Sequence, residues 1–226
     1  MLSCLTICKL NIILLLKDKL SFFWSLALPS IMLVINGSNI NSEYVLTYWW
    51  IYIVFNSFIY GIGLHALNEK DSGVISIIFS IKWIPFEFFF GLLLTQVIYS
   101  IVCLAIFNFV PYLLFQFSYF RLLGLSMLSL IVTIPIAFLG YNLTYLKNAY
   151  ATTVSSICNM CIFLFFILLG FDTPFNKFNP LNILGNIMDE VIRGIIPSTY
   201  VVLSFVLILI SIPSIVYFRP LSKESR

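Results

Sequence analysis

Apolar runs of about twenty residues recur along most of the chain, separated by connections too short to hold a soluble domain. This pattern decides the fold class. A helix crosses a bilayer core of about 30 Å with about 20 apolar residues, and away from water only helices and closed barrels satisfy every backbone hydrogen bond. A chain of 226 residues has room for about six such crossings. Hydrophobic residues make up 61% of the sequence and charged residues 9%, too little polar surface to cover a water-soluble globule. The expectation is an all-α integral membrane protein, with residues 1–226 forming a single transmembrane domain.

Taken in order, residues 1–19 mix Lys9, Lys17 and Lys19 with leucine and isoleucine, which suits an interfacial helix. Spans are expected at about 20–35, 44–67, 86–109, 122–145, 150–171 and 197–217. Pro29 lies inside the first span, and Asn36-Gly37-Ser38-Asn39 turns the chain after it. Further spans follow without a small-residue cleavage site, so the first is not read as a cleavable signal peptide. Trp49, Trp50 and Tyr52 stand near one end of the second span as interfacial anchors. Pro85 opens the third, where its missing N–H is tolerated. Residues 111–120 form an aromatic connection, Pro135 kinks the fourth span, and Leu146-Lys147-Asn148-Ala149 turns into the fifth. Residues 172–196 differ in kind. They contain Pro174, Pro180 and an amphipathic piece at 182–193 too short to span, expected as short re-entrant helices at the outer interface.

The basic residues set the orientation. With a cytoplasmic amino terminus, Lys9, Lys17, Lys19, Lys70, Lys82, Lys147, Arg219, Lys223 and Arg226 face the cytoplasm, while Arg121, Lys177 and Arg193 face outwards. Both termini are then cytoplasmic. So is the segment 68–85, which opens with the densest internal charged cluster, Asn68-Glu69-Lys70-Asp71-Ser72-Gly73. Ser72, Ser76 and Ser80 recur every fourth residue and share one helix face, with Val74, Ile77, Ile78 and Ile81 directed to lipid or neighbouring helices. Two readings stand: an amphipathic helix offering a low-profile face to a soluble partner, or a plain loop between spans.

Several function classes are disfavoured. The net charge of +3 is small and its basic residues are dispersed, which argues against nucleic acid as a partner. Cys4, Cys8, Cys103, Cys158 and Cys161 lie in or beside apolar segments and have no disulfide-framework spacing; the C-x-x-C at 158–161 lacks a second pair or nearby histidines to hold a metal. His65 is the only histidine and is read as marking a helix end. Gly124-Leu125-Ser126 has no base within a span, and Asp189-Glu190 belongs to the outer segment, so an intramembrane enzyme is not favoured. An ion-coupled carrier would place a carboxylate at mid-membrane, and Glu87, at an interface, does not supply one. No G-x-x-x-x-G-K-[ST] occurs, so ATP and Mg would sit on a separate chain.

Together these features resemble the permease subunits of ABC-2-type transporters: six spans behind an interfacial helix, Leu28-Pro29-Ser30 in the first span, Glu69-Lys70-Asp71-Ser72-Gly73 after the second, and Asn179-Pro180-Leu181 with Arg193 before the last. The resemblance covers essentially the whole chain. It departs from the family at Val74, where a small or polar residue is usual, and in lacking a large external domain. It implies that Glu69, Lys70, Asp71, Ser72, Gly73, Ser76 and Ser80 couple to a nucleotide-binding ATPase subunit. It further implies that the segment bearing Pro180, Asp189, Glu190 and Arg193 caps the pathway outside, and that a second permease copy, identical or not, completes it.

Within the spans, Thr152, Ser155, Ser156 and Asn159 form one polar stripe and Ser57, Gly61 and His65 another. Both can be read as helix packing or as pathway lining, and Asn56 and Asn142 are further pathway candidates. Walls built mainly of phenylalanine, isoleucine and leucine suit a lipid-like or amphipathic cargo, since a polar solute stripped of water costs several kcal/mol per unsatisfied group. With the family resemblance, this points to a bacterial cell-membrane exporter of membrane-active peptides. A lipid or drug exporter, or an ion-coupled transporter, is the alternative.

Overall fold

The structure, a computed structural model, describes residues 2–17, 19–146 and 150–218; the turn residues Lys147, Asn148 and Ala149 and the basic tail 219–226 lie outside the described residues. Every regular element among the described residues is helical. Helices α1 (Leu2–Lys17) and α2 (Lys19–Ile35) lead to one long helical run, Glu43–Asp71, which contains α3 (Thr47–Phe58), a π-helical segment (Ile59–Leu64) and α4 (His65–Asp71). Then follow α5 (Val74–Ile81), α6 (Pro85–Phe115), α7 (Tyr119–Thr133), α8 (Pro135–Tyr141), α9 (Ala151–Leu168), α10 (Pro180–Ile192) and α11 (Ser198–Val216).

Four stretches, Glu43–Asp71, Pro85–Phe115, Ala151–Leu168 and Ser198–Val216, are long and apolar enough to cross a membrane. A fifth joins them if Tyr119–Thr133 and Pro135–Tyr145, bent by 44°, make one span. That bend falls at Pro135, as the sequence expects. The remaining expected crossing, 20–35, corresponds to α2, whose 17 residues stand at the short end of what a crossing needs.

The Glu43–Asp71 run is the centre of the bundle. Most of it is buried, whereas α9 and α11 are buried over only a small part of their length. This placement corrects the reading of Trp49, Trp50 and Tyr52 as interfacial anchors, because all three are buried and Trp50 has no exposed surface. The Trp50 indole donates to Asn108 Oδ1 at 2.7 Å, and Asn108 Nδ2 donates to Ser126 Oγ at 3.0 Å, which joins α3, α6 and α7. Trp49 and Tyr52 meet the Phe166 ring of α9. An indole with a satisfied N–H packs in the interior as readily as at an interface.

The expected connection at 111–120 is also shorter than the sequence suggests. Helix α6 runs through buried Pro111 to Phe115 and ends at Gln116, whose φ of 58° is left-handed. Proline is tolerated inside a membrane helix when neighbouring helices brace it, and Asn108, three residues earlier, is held by Trp50 and Ser126. At the same end, Arg121 Nε lies 2.7 Å from Glu43 Oε2, and its guanidinium donates to the Tyr44 hydroxyl.

Close crossings occur at glycines. A Cβ on Gly63 would lie 2.2 Å from the Gly140 carbonyl oxygen, so the π segment and α8 touch backbone to backbone. Gly185 of α10 similarly makes room for the Tyr48 ring. Such approaches are how helices associate where lipid removes the hydrophobic drive between them.

Candidate functional site

The charged cluster does not belong to one short surface helix, as its sequence suggests. Asn68, Glu69, Lys70 and Asp71 form the last turn of α4, and the chain breaks at Ser72 and Gly73 before α5 begins. Gly73 has φ +80°, a left-handed value that glycine adopts without strain. Lys82, Trp83 and Ile84 then link α5 to Pro85, which opens α6 as expected.

Lys70 and Asp71 turn inward. Lys70 is 9% exposed, and its ammonium donates to the Thr144 carbonyl at 2.7 Å, on the 3-10 turn Asn142–Tyr145 that ends the α8 segment. Asp71 Oδ2 accepts the Ala151 N–H at 3.0 Å, at the start of α9. The signs suit the helix dipoles, a cation at a carboxyl end and an anion at an amino end. Two adjacent residues therefore staple the end of the α8 segment and the beginning of α9 to the end of α4.

Helix α5 presents three faces. Ile75 and Phe79 are buried, and Phe79 packs against Trp83, Phe88 and Phe218, the last joining α5 to the chain just after α11. Val74, Ile77 and Ile81 form an exposed apolar stripe, with Ile81 85% exposed, while the Ile78 side chain lies outside the described set. Ser76 and Ser80 occupy the remaining face. Ser80 Oγ donates to the Ile77 carbonyl and Ser72 Oγ to the Glu69 carbonyl, which satisfies the hydroxyls locally and leaves a low, small-residue strip.

Beside this end, an open cleft of about 430 Å³ is lined by Tyr60, Leu64, His65, Asn68, Ala151, Thr152 and Ser155. His65, read from sequence only as a helix-end marker, forms part of its wall, and its Nε2 lies 3.8 Å from Glu69 Oε1. Of the pathway candidates, Thr152, Ser155 and His65 line this cleft. Asn159 accepts a hydrogen bond from the Tyr60 hydroxyl, and Ser156 is exposed and donates to the Thr152 carbonyl. Asn56 donates to the Tyr52 carbonyl within its own helix, and Asn142 accepts from Ser214 of α11. Those two asparagines brace helices. Ser57 and Gly61 also serve packing, since Ser57 donates to Gln96 Oε1 at 2.9 Å and Gly61 leaves space for the Gln96 side chain.

Gln96, Ser100 and Asn108 were not singled out from sequence. Ser100 donates to Ser57 at 3.0 Å and all three are buried, so the polar side chains inside the apolar α6 bond to α3 and α7, Gln96 and Ser100 to Ser57 and Asn108 to Trp50 and Ser126. The available signal was their position: strong hydrogen-bonding side chains within an uninterrupted apolar run.

At the opposite end, Pro180 opens α10, and Asn179 caps that helix by accepting the Leu181 N–H at 3.1 Å. Asn179 Nδ2 also donates to the Phe165 carbonyl at 2.7 Å, tying α10 to α9. Asp189 is half-buried, whereas Glu190 and Arg193 are exposed. Helix α10, expected from 182, starts at Pro180 and buries Leu181, Leu184, Ile187 and Met188. Asn179→Ala removes these two bonds and a longer one to Asn176 Oδ1 at 3.3 Å, and should cost about 1–3 kcal/mol. Asn179→Asp retains the cap and should recover part of that loss in thermal unfolding of the purified protein. Equal melting of both variants would show that the cap contributes little.

Comparison of the chain with protein-family models, curated proteins and solved structures returns no match.

Proposed function

We propose that the chain is the permease subunit of an ATP-driven exporter of the ABC-2 type, working with a separate nucleotide-binding ATPase subunit that holds ATP and Mg and with a second permease copy. It would have six spans and both termini on the cytoplasmic side of a bacterial cytoplasmic membrane. The observation that carries this reading is α5: a short helix across the Asp71 end of the bundle, set off by Gly73, with a serine strip outward and its neighbours Lys70 and Asp71 fastened to spans four and five. A partner seated on Glu69, Ser72, Ser76 and Ser80 would act on three spans through those two side chains. The sixth crossing is supported by α2, because Gly37, just past its end, packs near the Phe115 ring at the far end of α6, and Ser25 and Tyr99 share a hydrogen bond at 2.8 Å.

The cargo would be hydrophobic or amphipathic, with membrane-active peptides ahead of lipids and drugs. Buried polar side chains at Ser57, Gln96 and Ser100 are occupied with one another, and Asn108 with Trp50 and Ser126, which leaves little to replace the hydration of a sugar or an ion. Asp189, Glu190 and Arg193, near the far end of α10, would form the outer gate.

Gly73 provides the test. Nothing lies within 4 Å of a Cβ added there, so the chain itself has room for a side chain. Gly73→Ala carries only the strain of the left-handed backbone, about 1–2 kcal/mol. Gly73→Trp adds bulk facing the proposed partner. The alanine variant should keep an ATPase subunit bound through purification and keep exporting peptide, whereas the tryptophan variant should lose both at normal membrane abundance. Full activity of Gly73→Trp would make α5 a plain link between spans.

A further inference from the structure

Between α9 and α10 the chain carries Phe171, Phe175 and Phe178 together with Asn176 and Asn179. In a loop surrounded by water, the hydrophobic effect draws phenylalanine inward and leaves amides to the solvent. Here the arrangement is reversed. Asn179 is almost fully buried, while Phe171, Phe175 and Phe178 are 59%, 71% and 84% exposed.

The reversal is held in place by hydrogen bonds. Asn176 Nδ2 donates to the carbonyls of Leu168 and Phe171 at 3.0 and 2.6 Å, and Asn179 Nδ2 donates to the Phe165 carbonyl. These amides occupy carbonyls at and beyond the end of α9, where helical partners run out. Much of the segment's backbone is also paired internally: the N–H groups of Thr173, Asn176, Phe178 and Asn179 bond to the carbonyls of Phe171, Thr173, Phe175 and Asn176, and Pro174 has no N–H. Internal satisfaction of this kind is what a non-aqueous surrounding demands.

Helix length gives the depth. The 18 residues of α9 extend about 27 Å, slightly less than a hydrocarbon core of about 30 Å, so with Ala151, bonded to the Asp71 carboxylate, at one boundary, a chain leaving Leu168 is still at the other boundary between acyl chains and headgroups. Helices α9 and α11, the spans on either side of the 171–196 segment, are themselves largely uncovered by protein. Ile195 and Ile196, which lead into α11, are exposed as well.

From these observations we infer that the segment 171–178 is a lipid-binding surface inserted into the leaflet at the Glu43 end of the bundle. Its phenylalanines lie among the upper acyl chains, while the exposed Asp172 carboxylate and the Lys177 ammonium face the headgroups, which keeps the segment at the boundary and not deeper. This inference does not depend on the transport reading. It applies equally to any activity of the bundle.

Photolabelling of the unmodified full-length chain in phosphatidylcholine and phosphatidylglycerol nanodiscs tests it. One sample carries a diazirine on the lipid acyl chain and the other a water-soluble diazirine, with adducts mapped by mass spectrometry. The peptide holding Phe171, Phe175 and Phe178 should take up the lipid probe at the level of α11, about tenfold above its uptake of the aqueous probe. Dominant aqueous labelling would overturn the inference and place the segment in water. Protection from both probes would also overturn it, by showing that protein, such as a second copy, covers the phenylalanines.

Discussion

Gly63→Val should prevent assembly of the native bundle. The added Cβ would meet the Gly140 carbonyl oxygen at 2.2 Å and the carbonyl carbon at 2.7 Å. The obstacle is backbone, so no rotamer change relieves it; either α8 or the π segment must move. Overpacking in a well-filled interior typically costs 1–3 kcal/mol, and a backbone collision belongs at or above about 3 kcal/mol. The variant should give little monodisperse protein and a markedly lower melting temperature in detergent. Gly124→Ala is the control, because nothing lies within 4 Å of its Cβ. It should be neutral or stabilising by up to about 1 kcal/mol through helix propensity. Equal behaviour of the two variants would mean that the π segment and α8 do not touch at Gly63.

Lys70→Met and Asp71→Ala should loosen two different helix ends. Methionine fills much of the lysine volume but cannot donate to the Thr144 carbonyl, and losing a hydrogen bond to a charged group in a buried place costs about 1.5–3 kcal/mol. Hydrogen exchange should quicken at the end of the α8 segment, around Thr144 and Tyr145. Asp71→Ala removes the acceptor for the Ala151 N–H, with a capping cost of about 0.5–2 kcal/mol, and exchange should quicken in the first turn of α9. Uniform acceleration throughout the bundle in both variants would contradict a local staple. If the proposed ATPase pairing is correct, both variants should also weaken stimulation of hydrolysis by cargo while leaving the serine strip intact.

Much of this architecture is legible in the residues, because membrane crossing is governed by length and apolarity. Pro135, Pro85 and the amphipathic piece before the last span lie where their local chemistry places them. Three-dimensional partnership is not legible in the same way. The expectation that Trp50 anchors an interface is reasonable for a tryptophan near a span end, but only the fold reveals that Asn108, 58 residues away, accepts its N–H. Lys70 and Asp71 likewise read as part of a surface for an ATPase subunit until the end of the α8 segment and the start of α9 arrive beside them. The polar stripe of α9 is visible as a period, yet within this chain only Thr152 and Ser155 of it reach the cleft. Periodicity identifies a face and leaves its neighbour unspecified.

The π segment at Ile59–Leu64 and the bend at Pro135 lie within about two turns of the contact between Gly63 and Gly140. Neither central helix is therefore a rigid rod, and their weak points sit side by side. A push on α5 would be carried by Lys70 and Asp71 into α8 and α9 and arrive at that shared level as at a fulcrum. Beyond it, the asparagine-clamped end around Asn179 could remain at rest while the Asp71 end swings. Under the proposed exporter reading, such a pivot would let one mouth of the bundle work without requiring the other to move with it.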